Sequence, residues 1–185
     1  MSRLIFRTLT FILVLTCFGV NASLQKDIWI HVDTDQQILT VYDGEVPIEA
    51  FKNIAIGQSG TTLRKLQGDD KTQIGRYQIA WINKNSRFRT FYGFNYPSIE
   101  DAKRALVDGR ITESTARQII NAHKHNKTPP QYTRLGGMLG IHGLGRADPN
   151  VHKHVNWTHG CIALTNKQID RLGRWITIGT VVLIQ

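Results

Sequence analysis

The residues best suited to chemistry lie near the C-terminal end of the chain, in the segment Thr158-His159-Gly160-Cys161. A cysteine attacks as the thiolate, and a free thiol is mostly protonated at neutral pH. The proton is usually taken by an imidazole within hydrogen-bond reach, which a third group orients. His159 stands two residues before Cys161 and His142 stands nineteen residues before it. This pattern predicts a cysteine nucleophile served by a histidine.

The residues around the cysteine also suit acyl transfer. Gly160 removes side-chain bulk beside the sulfur, so a substrate backbone can approach closely. The amides of His159, Gly160 and Cys161 are candidates to face a developing oxyanion, the interaction from which much of the rate of acyl transfer comes. Because imidazoles flank it, we expect the Cys161 thiol to titrate below the free value of ~8.5.

The spacing of these residues resembles a family signature. His142, followed after fifteen residues by Thr158-His159-Gly160-Cys161, is similar to the motif of the L,D-transpeptidase (YkuD) catalytic domain. The stretch Gly68-Asp69-Asp70-Lys71-Thr72, with Gly75-Arg76-Tyr77 after it, resembles a second block of that family. The segment 91–97 resembles the strand and turn that precede the family's insertion. The resemblance covers roughly residues 28–185.

That resemblance implies a fold and a set of site residues. The fold is mainly β, an L,D-transpeptidase-like β-sandwich with a helical insertion over about residues 98–126 before the active-site strand. Cys161 is the nucleophile and His142 its base, with His159 as a second polar group and the amides around Gly160 as the oxyanion site. The residues implied to bind substrate are Gly143, Thr158 and Asn166. A thioester needs no cofactor and no metal.

The implied reaction is cell-wall acyl transfer. Cys161 forms a thioester with a peptidoglycan tetrapeptide stem, releases a D-amino acid, and passes the acyl group to an amine of a second stem or of a wall-linked protein. Carbapenem-type β-lactams, which acylate the cysteine of this family, are expected to label Cys161. One position departs from the pattern, because Ala163 stands where many members carry Arg or Asn, and this leaves the contacts to the acyl donor open.

Three other functions remain open on the sequence alone. Water in place of the amine would make the protein a cysteine hydrolase, an L,D-carboxypeptidase or an amidase that releases wall-linked proteins. A non-catalytic wall-binding domain is the second alternative. A zinc site is the third, because imidazole and thiolate are the usual zinc ligands; its candidate ligands would be His142, His152, His154, His159 and Cys161. The chain lacks Cys-x-x-Cys and His-Glu-x-x-His motifs, which argues against it.

The N-terminal segment predicts export. Arg3 and Arg7 precede an apolar run from Leu9 to Val20, and residues 1–22 are typical of a signal peptide. The run is short for a bilayer span, which needs ~20 apolar residues, although an uncleaved anchor is the alternative. Cleavage would remove Cys17, leave Cys161 as a free thiol, and place a single catalytic domain of residues 23–185 in the periplasm or cell envelope.

Charge and periodicity complete the expectations. The formal net charge of +9 suits an anionic polymer or membrane surface, while nucleic acid is not expected, because no basic run with interleaved aromatic residues occurs. Strands are predicted from Ile28 onward and over 135–142, with a polar loop at 143–156. Two helices, at 99–108 after Ser98 and from Glu113 to about His125, are expected to shape a substrate groove.

Overall fold

The computed structural model describes residues 27–185, which form ten strands and four helices within that range. The strands are β1 (Ile28–Asp33), β2 (Ile38–Asp43), β3 (Val46–Lys52), β4 (Thr61–Thr62), β5 (Thr72–Gln73), β6 (Gly75–Ser86), β7 (Arg89–Phe94), β8 (Gly140–His142), β9 (Ile162–Ala163) and β10 (Val181–Ile184). The helices are α1 (Ile99–Val107), α2 (Glu113–Lys124), α3 (Pro149–His154) and α4 (Asn166–Leu172).

The long strand β6 belongs to two sheets. Its first residues pair with β10, giving the order β3-β2-β1-β10-β6, and its later residues pair with β7, giving β6-β7-β8-β9. The register shifts between Ile79 and Trp81, and such an irregularity bends a strand. The pairs β1–β10 and β8–β9 are parallel, and the other pairs within these two sheets are antiparallel. The mainly β fold predicted from the sequence is confirmed.

The free edge of β9 is covered by the segment that follows β3. Ala55 and Ala163 exchange two backbone hydrogen bonds, Ala55 N to Ala163 O at 2.9 Å and Ala163 N to Ala55 O at 2.8 Å. One step further along the chain, the Thr158 N–H donates to the Ile56 carbonyl at 3.2 Å. The outer strands of the two sheets are thereby connected.

Alternating apolar residues build the core between the sheets. In β1 Ile30 and Val32 are buried, and in β2 Leu39 and Val41 are buried, while their chain neighbours are more exposed. Period-two burial of this kind is what a strand with one face on a core requires. Other fully buried large side chains come from later elements: Ile79, Ile119, Leu135, Ile141, Ile162, Leu164 and Ile169.

The helical insertion lies where the sequence predicts it. The Ser98 hydroxyl caps α1 by accepting from the Asp101 amide, and the Asp101 carboxylate accepts from the Ser98 amide. These two hydrogen bonds form the expected capping box. Thr112 caps α2, accepting from the Thr115 amide at 3.2 Å. The two helices pack on each other and turn their small residues toward the core, Ala102 in α1 and Ala116 in α2 among them.

Two local predictions are wrong. The predicted polar loop at 143–156 contains α3, which Asp148 caps and Pro149 begins; an Asp-Pro pair is a start signal for a helix. The predicted strand at 135–142 is reduced to the three residues of β8, because the preceding residues turn, with the Gly136 N–H donating to the Thr133 carbonyl at 2.9 Å.

The predicted signal peptide, residues 1–22, lies outside the described residues. Within residues 27–185, the structure has no helix that is both long and apolar enough to cross a bilayer.

Candidate active site

A large cleft contains most of the residues that the sequence singled out: His142, Thr158, His159, Cys161 and Asn166. It has a volume of about 1370 Å³ and is lined by three stretches of chain, falling within 81–91, 137–147 and 157–166. Among the described residues, α1 and α2 contribute nothing to this lining, so the expectation that these helices shape the groove is wrong. The loop that follows them contributes Gly137, Met138 and Leu139 instead.

The pairing of β8 with β9 brings His142 and Cys161 together. In this parallel pair Ile141 lies opposite Ile162, and His142 lies opposite Ala163. Because side chains alternate along a strand, Cys161, two residues before Ala163, shares a sheet face with His142. Both side chains line the cleft. Two residues that are nineteen positions apart in the sequence thus line the same cleft.

The backbone fixes which nitrogen of His142 is free. Its Nδ1 lies 2.7 Å from the carbonyl oxygen of Gly143. A carbonyl only accepts, so we assign the proton to Nδ1, which leaves Nε2 of the neutral ring as an acceptor. The ring is therefore held in the tautomer that a base for the thiol proton requires.

An aromatic wall, formed by Phe88, Phe91 and Trp157, encloses His142. The Phe88 ring stacks on the imidazole with centroids 4.3 Å apart, the Phe91 ring lies at 6.1 Å, and Trp157 meets it edge-on at 5.8 Å. His142 is only 2% exposed. This burial lowers the pKa of His142 to about 4, against the opposing effect of the hydrogen bond to Gly143. At neutral pH the imidazole is uncharged and ready to accept a proton.

A second histidine supports this wall from behind. His152, in α3, is buried, and its Nδ1 accepts a hydrogen bond from Trp157 Nε1 at 3.2 Å. Burial lowers the pKa of His152 as well. The aromatic wall is not predicted from the sequence, and His152 is predicted only as a candidate zinc ligand. The close spacing of aromatic residues at 88–92 is a signal in the sequence, but it does not reveal that the rings would meet His142.

The thiol of Cys161 is protonated in the resting site. The residue is half-buried, and its Sγ lies 3.5 Å from the carbonyl oxygen of Met138, to which it donates. Burial raises the pKa of the Cys161 thiol to about 11, although the Gly140 amide and the charge of Lys65 act in the opposite direction. The prediction that this thiol titrates below the free value is wrong. The neighbouring imidazole of His142 is neutral and does not stabilise the thiolate, while the loss of water on burial raises the pKa of the thiol.

Residues 158–161 form a tight turn that ends at Cys161. The buried Thr158 hydroxyl donates to the Cys161 carbonyl at 2.6 Å and accepts from the Gly160 amide at 3.2 Å. The Gly160 amide is thereby engaged within the turn. The amides of His159 and Cys161 have no acceptor among the described residues. The turn therefore engages the Gly160 amide and leaves those of His159 and Cys161 without a partner among the described residues.

Gly160 is required by what lies beneath it. Its φ of +114° is rarely adopted by residues with side chains. A Cβ at this position would also lie 2.6 Å from the carbonyl oxygen of Lys71. The sequence prediction treated Gly160 as a means of substrate approach, and the structure adds that the turn could not pack here with a larger residue.

The segment beneath the turn is residues 65–72, which we call the ionic loop. Asp69 organises it by accepting from the ammonium of Lys65 at 2.6 Å and from the amides of Leu66 and Lys71 at 2.7 and 3.0 Å. The Thr72 hydroxyl donates to the Gly160 carbonyl at 3.2 Å. The family-like Gly-Asp stretch thus supports the turn that carries Cys161. Lys65 and Asp69 were not predicted as site residues.

His159 lies at the rim of the cleft. Its Nδ1 lies 2.6 Å from Asp70 Oδ1, and its side chain is 85% exposed. Hydrogen bonds from His159 and from Gln58 lower the pKa of the Asp70 carboxyl. His159 is therefore exposed where His142 is buried, and its secondary part stays a prediction.

Two residues predicted to bind substrate have other partners. Gly143 is buried and does not line the cleft among the described residues; its amide donates to the Thr90 carbonyl, and its own carbonyl orients His142. Asn166 lines the cleft, but its amide oxygen accepts from the Gly145 N–H and its amide nitrogen donates to the Gly145 carbonyl, both at 2.8 Å. Both residues hold neighbouring groups of the site in place, and their assignment as substrate contacts stays a prediction.

Three arginines line the cleft, whereas Ala163 is not among its lining residues in the described part of the chain. Ala163 is fully buried and brings no polar group. Arg87, Arg89 and Arg146 line the cleft, and Arg89 Nε is paired with Asp170 Oδ1 at 2.6 Å. Arg87 lies over the Phe88 ring at 4.7 Å. The cleft therefore has a cationic edge, which suits an anionic ligand.

The histidines considered as zinc ligands are dispersed. No group of three or more His, Cys, Asp or Glu side chains with metal-binding geometry occurs within residues 27–185. In three of these histidines a ring nitrogen is already hydrogen-bonded: His142 to Gly143, His152 to Trp157, and His159 to Asp70.

Comparisons with known proteins agree with this geometry. The helical cell shape determining protein Pgp2 from Campylobacter jejuni superposes with a TM-score of 0.60 at 20% identity, over 86% of this chain and 48% of that one. Bd1075 from Bdellovibrio bacteriovorus gives a TM-score of 0.53 at 21% identity, over 86% and 48%. The chain thus spans about half the length of these two proteins and shares their fold.

No protein matches in a comparison with curated sequences. The family model of the L,D-transpeptidase catalytic domain matches residues 27–184, nearly the whole of the described chain. The strand pair that carries His142 and Cys161, and the turn between Thr158 and Cys161, lie inside this match. The chain belongs to the L,D-transpeptidase catalytic domain (YkuD) family.

Proposed function

We propose that the protein is a peptidoglycan L,D-transpeptidase in which Cys161 is the nucleophile and His142 the base. The observation that carries the proposal is the pairing of β8 with β9, which sets both side chains on one face and opens both to the same cleft. Family membership supports a wall-directed enzyme, and the specific reaction is our proposal.

The first half-reaction follows from the tautomer of His142. Rotation of the Cys161 side chain away from Met138 allows the thiol proton to pass to Nε2, while Nδ1 keeps its bond to Gly143. The thiolate attacks the carbonyl carbon of the L-centre before the terminal D-residue of a tetrapeptide stem. The oxyanion is received by the amides of His159 and Cys161. The C–N bond then breaks, and the departing amine takes the proton from the imidazolium.

The second half-reaction needs an amine at the same place. An amine of a second stem, or of a wall-linked protein, attacks the thioester and gives its proton to His142. Sulfur then leaves as the thiolate and recovers that proton. A cleft of about 1370 Å³ exceeds the ~300–1,000 Å³ of ordinary small-ligand sites, which favours room for both a donor and an acceptor. The cationic edge with Arg87 and Arg146 suits the carboxylates of peptide stems.

The location we propose is the periplasm or cell envelope. The segment 1–22 has the composition of a signal peptide. Cell fractionation of the full-length chain, with the mass of the mature N-terminus, tests this. An intact N-terminus in the cytoplasmic fraction would contradict it.

The decisive experiment uses tetrapeptide muropeptides. Purified protein is incubated with them, and the products are read by mass spectrometry. Cross-linked dimers with release of a D-amino acid are expected. Shortened stems alone would instead identify a hydrolase, since water can also resolve the thioester. Cys161→Ala should abolish both products while the protein stays folded, and Cys17→Ala is the control that removes the other cysteine. Turnover by the Cys161→Ala variant would refute the proposal.

An independent test uses a covalent inhibitor. A carbapenem-type β-lactam is expected to add its full mass to the protein, because a thiolate opens the ring without a leaving group. The peptide that contains Cys161 should carry the added mass. Unmodified Cys161 after long incubation, in protein that turns over muropeptides, would contradict this.

A further inference from the structure

A buried lysine lies beneath the nucleophile and has no part in the chemistry described so far. Lys65 is 3% exposed. A Cβ placed on Gly160 would lie 3.1 Å from its Nζ and 3.3 Å from its Cε. The ammonium is therefore packed directly against the residue that precedes Cys161. Few lysines are buried to this degree unless they are paired.

The surroundings hold this lysine in one place. Its Nζ bonds Asp69 Oδ1 at 2.6 Å, its amide donates to Gln73 Oε1 at 3.0 Å, and its carbonyl accepts from Arg110 Nη1 at 3.0 Å. Although burial opposes it, the hydrogen bonds from Lys65, Leu66 and Lys71 lower the pKa of Asp69. The lowered pKa keeps the Asp69 carboxyl ionised at neutral pH, and its pairing with Lys65 offsets part of the cost of burying it.

We propose that Lys65 is an electrostatic positioning residue for the nucleophile. Its ammonium stabilises the negative charge that forms on Cys161 Sγ and on the oxyanion beside the turn at 158–161. Charges interact more strongly in a site from which water is excluded than at the surface. The oxyanion part of this inference rests on the proposed acyl transfer, whereas the thiol part rests only on the geometry around Cys161.

The charge of Lys65 lowers the pKa of the Cys161 thiol, although burial raises that pKa by more. Asp69 belongs to the pair itself, and His142 is uncharged at neutral pH. The titratable and charged groups that face Lys65 and the turn are Asp69, Asp70, Lys71, His142, His159 and Arg110.

The experiment measures the alkylation of Cys161 in the full-length protein. Iodoacetamide is the probe, because it is uncharged and is not steered by a lysine. The rate is read by mass spectrometry on the peptide that contains Cys161, from neutral to alkaline pH. The variants are Lys65→Met, Lys65→Arg and Asp69→Asn. Arg64→Met is the matched control, because it removes a neighbouring cation that is 71% exposed.

If Lys65 stabilises the thiolate by its charge, the alkylation rate should change in opposite directions when Lys65 and Asp69 are neutralised. Lys65→Met should slow alkylation about tenfold at a fixed pH, because each pKa unit changes the thiolate fraction tenfold. Lys65→Arg should keep most of the rate. Asp69→Asn should raise it, because the new amide oxygen still accepts from the ammonium but no longer offsets its charge. Arg64→Met should leave it unchanged.

A purely structural ion pair predicts a different pattern. Slower alkylation in both Lys65→Met and Asp69→Asn would overturn the inference, as would an unchanged rate in Lys65→Met. If Lys65→Met does not fold, the alkylation rates of Asp69→Asn and Lys65→Arg still test the inference. On muropeptides, Lys65→Met should lower kcat more than it changes KM. Wild-type protein that turns over no muropeptide, yet shows the alkylation pattern, would refute the proposed function and leave the thiol part of this inference standing.

Discussion

The two sides of Cys161 are built from opposite kinds of chemistry. On one side the aromatic wall packs His142 against Phe88 and keeps its imidazole uncharged. On the other side the ionic loop holds the buried ammonium of Lys65 against Gly160. The difference teaches that the resting site is neutral, with a thiol and an imidazole rather than a thiolate and an imidazolium. In the proposed reaction charge develops only as the thiol is attacking, and the proposed part of Lys65 in the ionic loop is to stabilise that charge.

The largest effect is expected from the base. His142→Gln removes the acceptor of the thiol proton, and general-base catalysis is worth roughly 10²–10⁴-fold. The rate of D-amino acid release from muropeptides should fall by that factor. His154→Gln, in the exposed part of α3, is the matched control and should keep the wild-type rate. If the His142→Gln variant folds and its release rate falls by less than about tenfold, His142 is not the base.

The ionic side can be tested through Gly160→Ala. The substitution forces a Cβ toward the Lys71 carbonyl at 2.6 Å, at a φ of +114°, and strain of this kind costs about 1–3 kcal/mol. The free energy of unfolding in urea should fall by at least that amount, and turnover should fall with it. Gly179→Ala is the control, because Gly179 has φ of +92° with nothing within 4 Å. Equal losses in the two variants would show that contact with the ionic loop contributes nothing.

A smaller effect is expected from the aromatic wall. Since the pKa of His142 is lowered to about 4, the base stays neutral, and kcat/KM should remain level as the pH falls until it approaches that value. Phe88→Ala admits water to the imidazole, so its pKa should rise toward the ordinary ~6.5 and the acidic limb should move to higher pH. The measurement is the pH dependence of kcat/KM in both proteins. An acidic limb already near the ordinary value in the wild type would contradict the neutral resting site.

The smallest effect is expected from His159. The side chain is 85% exposed and paired with Asp70, and exposed pairs contribute ~0–1 kcal/mol. His159→Gln should change the D-amino acid release rate by less than about fivefold, the factor that ~1 kcal/mol represents. Its unfolding free energy should be within the same margin. A fall in the release rate as large as that of His142→Gln would mean that the two histidines act together. The two sides of Cys161 would then not differ as described.

The sequence predicts the parts of this site that short motifs encode. Cys161 and His142 follow from their types and spacing, and the capping box at Ser98 follows from a known local pattern. The aromatic wall does not, because Phe88 and Trp157 meet only when β7, β8 and the turn after α3 come together. The resting protonation state also escapes the sequence, since burial decides it and motif spacing does not reveal burial.

The ionic loop is an intermediate case. Its Gly-Asp stretch was recognised as family-like, yet its task of supporting Gly160 depends on contacts across 88 residues of sequence, such as Thr72 to Gly160. Gly143 and Asn166 are similar, because the sequence shows that they lie near the motif residues but does not reveal their partners, Thr90 and Gly145.

The cover over β9 has a consequence for how peptides dock. With β8 on one side and Ala55 on the other, the nucleophile's strand has no open hydrogen-bonding edge for an incoming chain to extend. Recognition by strand addition, common where an extended peptide meets an exposed edge, is closed at this point. A peptide ligand would therefore have to be held here through its side chains and termini rather than by extending the sheet.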